Sequence, residues 1–154
     1  IMISIETLRN YSLFDQQDET MLTRIANLAE ERVVEAGGTL FSQGDPAKYL
    51  YLVIEGSVVL TMNVGRKGAQ TLEELEPLGK DRVVGWSSMV KPHIYKMGAY
   101  AKQRSRVIAF EGNRLHQLFD ENPSFGYYFL QRLTEVIGSR LIGKCVQLMS
   151  LIDW

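Results

Sequence analysis

Glu35-Ala36-Gly37-Gly38-Thr39-Leu40-Phe41-Ser42-Gln43-Gly44-Asp45-Pro46-Ala47-Lys48-Tyr49-Leu50-Tyr51-Leu52-Val53-Ile54-Glu55-Gly56-Ser57-Val58-Val59-Leu60 is the stretch whose reading decides the fold. Gly37-Gly38 ends an extended piece, because glycine reaches positive φ without steric cost. Thr39 to Phe41 reads as a short strand and Gly44-Asp45-Pro46 as a turn. Tyr49 to Ile54 follows as a second strand, Glu55-Gly56 as its turn, and Ser57 to Val64 as a third strand.

Outward from this stretch the same grammar continues. Further strands are expected at Gln70 to Leu75, Arg82 to Val84, Met97 to Ala101 and Arg106 to Phe110. Gly65-Arg66-Lys67-Gly68 and Pro77-Leu78-Gly79 supply turns between them. Glu73, Glu74 and Glu76 alternate with Leu72 and Leu75 and read as a solvated strand face. Short strands at regular intervals argue for a sandwich or jelly roll over alternating strand-helix units. Upstream, Asp18 is placed to cap a helix carrying Leu22, Ile25, Ala26 and Ala29 at helical spacing. Downstream, a helix is expected from Asn113 to Asp120, a break at Asn122-Pro123-Ser124, and a long helix from about Ser124 to the end. Leu130, Leu133, Ile137, Leu141, Cys145, Leu148 and Ile152 form an apolar stripe along it, with Cys145 as a packing thiol. Gly138 and Gly143 lie inside this helix at about 1 kcal/mol each relative to Ala.

Length and composition bound the functional classes. The 154 residues suit one domain with a sizeable core, and 45% hydrophobic with 23% charged residues is ordinary for a globular chain. A net charge of −1 and a pI near 6.2 supply no general attraction to nucleic acid, so direct nucleic-acid binding is not expected. One cysteine rules out an internal disulfide framework and fits a reducing, cytoplasmic setting. The N-terminal residues carry no secretory signal pattern, and no apolar run reaches the length of a membrane span. Two histidines, His93 and His116, fall on different predicted elements, so no shared metal site is expected. No nucleophile comes with a base at recognisable spacing, and the chain is read as non-enzymatic.

The run from Glu35 to Leu60 also resembles the cyclic-nucleotide-binding domain, the sensor half of the cyclic AMP receptor protein family. The shared features are a Gly before the second strand, a Gly-Asp turn, and Tyr/Leu alternation running into a Gly hairpin. The resemblance extends from about Leu13 to about Leu148. It implies a mainly β, α+β domain: an antiparallel jelly-roll barrel (a double-stranded β-helix) with an N-terminal helix and a long C-terminal helix. Residues 1–34 would form the N-terminal helical segment and first strand, 35–111 the barrel, and 112–154 the C-terminal helices of a single domain. It also implies a homodimer through the C-terminal helix. The alternative is that the stripe folds back on its own barrel. The helix-turn-helix domain of the family's transcription regulators has no room before Trp154, so the chain reads as a free-standing sensor or a fragment.

For the site, the resemblance implies that a short helix after the sixth strand faces a cyclic phosphate. Gly85 and then Trp86-Ser87-Ser88-Met89-Val90 hold that place. A glutamate normally follows the glycine and accepts from the ribose; Trp86 stands there. An arginine normally opens the next strand and pairs with the phosphate; counted back from Gly98-Ala99, Met97 stands there. Losing one partner of such a buried charged pair costs about 2–5 kcal/mol, roughly 30-fold to several-thousand-fold in affinity. Strand alternation turns Lys96 away if Met97 points inward, and a one-residue slip reverses this. Lys91 and His93, in the intervening loop, are possible anion contacts beside Lys96. The expected function is a regulatory small-molecule sensor whose pocket has drifted to a non-standard ligand, such as a planar or carboxylate molecule on Trp86, or to none. The alternatives are a working cyclic AMP or cyclic GMP receptor, or a ligand-free dimerisation module. No cofactor is expected beyond a cyclic nucleotide or another small ligand.

Overall fold

The computed structural model describes residues 3–64, 71–74 and 82–152. Two long strands organise it: β3 (Tyr49–Val64) and β6 (Gly98–Glu111), paired antiparallel from Tyr49 opposite Glu111 to Thr61 opposite Gly98. Successive side chains of a strand point to opposite faces, so a strand buried on both sides must be apolar at consecutive positions. The run 50–53 and the run 107–110 satisfy this. Leu50, Leu52, Ile108 and Phe110 face the helices and pack with Leu13, Phe14, Leu22, Ile25, Leu115, Phe119, Phe129 and Leu133. Tyr51, Val53, Val107 and Ala109 point the other way, into the jelly roll, with Phe41, Val58, Val84, Tyr95 and Ala99.

The remaining strands border this pair. β1 (Ala29–Val34) runs antiparallel to β6 from Ala29 opposite Phe110 to Val34 opposite Ser105. β2 (Thr39–Phe41) takes the other end of β6, opposite Tyr100 and Ala99. β4 (Thr71–Glu74) and β5 (Val83–Val84) both pair with β3, near Thr61–Val64 and Tyr51–Leu52 respectively. Among the described residues the ladder order is β1-β6-β3-β4, with β2 against β6 and β5 against β3. This is the expected mainly β jelly-roll fold with an N-terminal helix and a long C-terminal helix, and among the described residues its sheet does not close.

Glu55-Gly56 is not a hairpin turn. β3 passes straight through it, and the pairing with β6 shifts register between Val53 and Glu55, between Glu55 and Ser57, and between Ser57 and Val58. Gly56 has φ 96°, and a Cβ there would lie 2.6 Å from the Cα of Ser105. The Ser57 amide donates to Ser105 Oγ at 3.0 Å across this irregularity. Positive φ and close backbone approach mark a bulge as much as a turn, so the glycine alone does not separate them. β6 is likewise one strand where two were expected.

Before the sheet, α1 (Ile5–Leu8) and a 3-10 turn at Ser12–Phe14 precede α2 (Glu19–Ala26); α1 and the 3-10 turn had no clear sequence signal. Asp18 caps α2 as expected, its Oδ1 accepting from the Met21 amide at 2.8 Å, while Ala29 opens β1 instead of extending the helix. α3 (Gly112–Glu121) and α4 (Pro123–Ser150) bracket the break at Asn122, and Pro123 sits in the first turn of α4.

The expected single stripe on α4 divides. Leu133 is buried and Ile137 packs on the helical core, but Leu141 is 63% exposed, Leu148 is 64% exposed, and Cys145 is exposed too. Each step of four residues overshoots a full turn by roughly 40°. Three such steps, from Leu133 to Cys145, therefore carry the side chains from the core side round to solvent. Gly138 and Gly143 border open space. No described helix is long and apolar enough to cross a membrane. The expected turns at 65–68 and 77–79, residues Leu75, Glu76 and Trp154, and the side chains of 71–74 lie outside what the structure describes.

Candidate functional site

β5 is followed by Gly85, whose φ of 82° lets the chain reverse into a 3-10 turn, Trp86–Met89. A Cβ at Gly85 would lie 2.7 Å from the carbonyl oxygen of Tyr49, so any side chain meets the sheet before it meets a ligand. The turn closes on itself. The Ser88 amide donates to Gly85 O at 3.0 Å, and the Ser88 hydroxyl donates to the same oxygen at 2.7 Å. Ser88 is buried, and its hydroxyl is committed to the backbone. Ser87 is left as the serine that lines the cavity described below.

Two histidines hold the far end of this turn. His93 Nδ1 lies 3.1 Å from Ser88 O, and His116 Nε2 lies 3.1 Å from Met89 O. Their rings meet edge-on with centroids 6.5 Å apart. They are therefore neighbours, although they come from a loop and from α3. Among the described residues no group of three or more His, Cys, Asp and Glu could hold a metal ion.

The loop from Val90 to Met97 is pinned to the Gly44–Ala47 turn. Ala47 N donates to His93 O at 2.7 Å, Tyr95 N to Asp45 O at 2.9 Å, and Gly44 N to Tyr95 O at 2.8 Å. Tyr95 anchors it from inside: its hydroxyl donates to Tyr49 O at 2.6 Å and accepts from Tyr49 N at 3.2 Å. Its ring stacks on Phe41 with centroids 3.8 Å apart. Burial pushes the Tyr95 phenol up to about 12, so the group is a neutral wall of the site.

Trp86, Ser87, Gly85, Met97 and Lys96 converge on one cavity of about 50 Å³, completed by Phe41, Leu60, Val84, Tyr95 and Arg140. That is small against roughly 300–1,000 Å³ for a drug-sized ligand pocket. Trp86 reaches two environments, since it also packs against the helical core. Ser88, Gly98, Ala99, Lys91 and His93 do not line the cavity: Ala99 is buried in the sheet interior and Lys91 is exposed. β6 starts at Gly98, so Met97 precedes the strand, and the alternation that would separate Met97 from Lys96 does not apply. Both border the cavity.

Arg140 is the lining residue that no local motif announces. It comes from α4, on the half-buried face that continues Leu133 and Ile137 at spacings of four and three. Helical periodicity carried past Ile137 is the one sequence signal that could have found it. Phe41, Leu60 and Tyr95 enter through strand pairing and the pinned loop.

Known proteins share the fold that carries this site. The family model for the cyclic nucleotide-binding domain matches residues 31–122. A solved structure assigned as a cyclic nucleotide-binding protein from Geobacter metallireducens is 28% identical, with a TM-score of 0.78 over 91% of this chain and 99% of that one. A cyclic nucleotide-binding domain from Methylobacillus flagellatus superposes with a TM-score of 0.81 at 19% identity, covering 97% of this chain and 83% of that one. Among curated proteins, one named as a potassium channel protein from Rhodopseudomonas palustris is 23% identical over 83% of this chain, which spans 29% of that protein's length. By the family match, and by the fold that carries it, the chain belongs to the cyclic nucleotide-binding domain family.

Proposed function

We propose that this domain is a regulatory, non-catalytic sensor module of the cytoplasm whose site has exchanged the usual cyclic-nucleotide contacts for others. The observation that carries the reading is that Trp86 and Met97, which the resemblance puts in place of the family's ribose glutamate and phosphate arginine, border the same cavity. An indole and a thioether offer neither a carboxylate acceptor nor a cation, so affinity for cyclic AMP is reduced by the cost of two missing charged contacts. The ligand of this reading is a small molecule that uses the indole face of Trp86. Calorimetry of the purified chain with cyclic AMP and cyclic GMP tests it. Heats indistinguishable from dilution at concentrations that saturate ordinary members are expected, and tight cyclic AMP binding would sink the reading.

The cavity volume supports a second reading, in which the domain holds no ligand and works through its surface. Mass spectrometry of natively purified protein separates the two: a copurified small molecule supports the sensor, and its absence together with a stable dimer supports the interaction module. In both readings α4 is the output. Leu141, Ile142, Val146, Leu148 and Met149 are all exposed on one helix, and an apolar surface of that length is expected to meet a second copy of the chain.

A further inference from the structure

The charged groups bordering the cavity are both cations, Lys96 and Arg140, and among the described residues no carboxylate lines it. The two cations are unequal. Lys96 is exposed, so its charge is screened by solvent, whereas Arg140 is half-buried beside the turn that carries Trp86 and Ser87. A guanidinium keeps its charge at every physiological pH and offers a planar fork of donors that matches an oxyanion with two parallel hydrogen bonds. Arg140 also has interactions of its own within the fold.

We propose that Arg140, supplied by α4, is the cation that receives the oxyanion of the ligand at this site, phosphate or carboxylate. The inference rests on the reading that this cavity is the sensor site with its strand-side contact replaced by Met97. It deepens that reading in two ways. The ligand class is anionic, and the residue that binds it lies on the same helix as the exposed Leu141 and Ile142 that follow it. Occupancy of the cavity therefore bears directly on the placement of α4. A strand-borne arginine would report to the sheet, whereas Arg140 reports to the output helix.

The experiment uses the full chain with Trp154→Phe, which leaves Trp86 as its one indole. Inorganic phosphate and, separately, acetate are titrated at constant ionic strength while Trp86 emission is recorded. A saturable change with either anion is expected, and the stronger of the two identifies the oxyanion. Arg140→Gln is expected to weaken it roughly tenfold or more, the scale of one charged hydrogen-bonding partner. Arg140→Lys, which keeps the charge without the fork, should weaken it severalfold, and Lys91→Gln should titrate like the parent. No saturable response to either anion in the parent would overturn the proposal, and so would a folded Arg140→Gln that binds as the parent does. Should Arg140→Gln fail to fold, Arg140→Lys decides, and unchanged affinity in it is the overturning result. Failure of the underlying sensor reading looks different: it appears as tight cyclic AMP binding by the parent.

Discussion

Tyr95 joins the site to the sheet through one hydroxyl, and its chemistry makes the join sensitive to alkali. The phenol donates to Tyr49 O and accepts from Tyr49 N, both inside the fold. Burial raises its folded pKa to about 12, above the ordinary 10. A group whose folded pKa is raised stabilises the fold fully below its unfolded pKa and loses that contribution as pH rises through the folded one. The window is therefore pH 10 to 12, with a loss of about 1.4 kcal/mol per pH unit from this side chain. Tyr95→Phe is expected to lower stability at neutral pH by about 1–3 kcal/mol through the unpaired Tyr49 groups, and to flatten the decline between pH 10 and 12. Urea midpoints across pH measure both; an unchanged alkaline slope would show that Tyr95 is not the titrating group. Tyr11 and Tyr51 are also raised by burial, so the slope is reduced and not removed. At this scale the sequence was a partial guide. Gly85 was legible as a backbone residue, but its closest constraint is the Tyr49 carbonyl and not a ligand. His93 was read as a possible anion contact in the loop, and its actual partner, Ser88 O, depends on where the loop is pinned.

Among the elements, α4 carries the clearest prediction. Its first half is a core helix, with Phe125, Phe129 and Leu133 buried, and its second half is an apolar surface. The overshoot of a four-residue step produces this division without any change in composition. Leu141→Asp places a charge on the exposed half and touches none of the core. Sedimentation of the parent at micromolar concentration should give a dimer and the variant a monomer, with melting of the monomer fold changed by less than about 1 kcal/mol. A parent that sediments as a monomer would refute the dimer. Cys145 lies on the same exposed half and is not the packing thiol expected within this chain; of the stripe, the chain by itself buries Leu133 and leaves Leu141, Cys145 and Leu148 exposed. The turn after β5 tells a similar story. A short helix was expected, and a four-residue 3-10 turn is present, with Ser88 closing it from inside.

For the whole molecule, supplying the two charged contacts that the proposed reading finds replaced asks whether the backbone half of the site survives. Trp86→Glu with Met97→Arg should raise affinity for cyclic AMP above the parent, since glutamate can accept from a ribose hydroxyl and arginine can fork onto a phosphate. The gain is expected to be small. Trp86 also packs against the helical core, and removing it costs up to about 3 kcal/mol of stability. The guanidinium introduced by Met97→Arg would also join Lys96 and Arg140 around one small cavity, where like charges oppose each other. Calorimetry and melting on the double variant check the two effects together. A folded variant with no gain would mean that the positions of the turn and loop have drifted as well as the side chains.

The sequence by itself determined the family, most of the order of elements, and the presence of Trp86 beside Gly85 and of Met97 beside Gly98. Each is written locally, in glycine turns, alternating apolar pairs and the residues that follow Gly85. The tertiary structure alone decided that β3 runs unbroken through Gly56, that the sheet does not close among the described residues, and that α4 divides into a buried and an exposed half. It also brought Arg140 to the cavity and joined His93 to His116. The physical reason is common to all of these. A local pattern states what a residue prefers for its backbone and whether it avoids water, but a bulge, a ladder end, a helix face or a cavity wall depends on which distant segment arrives to pack there.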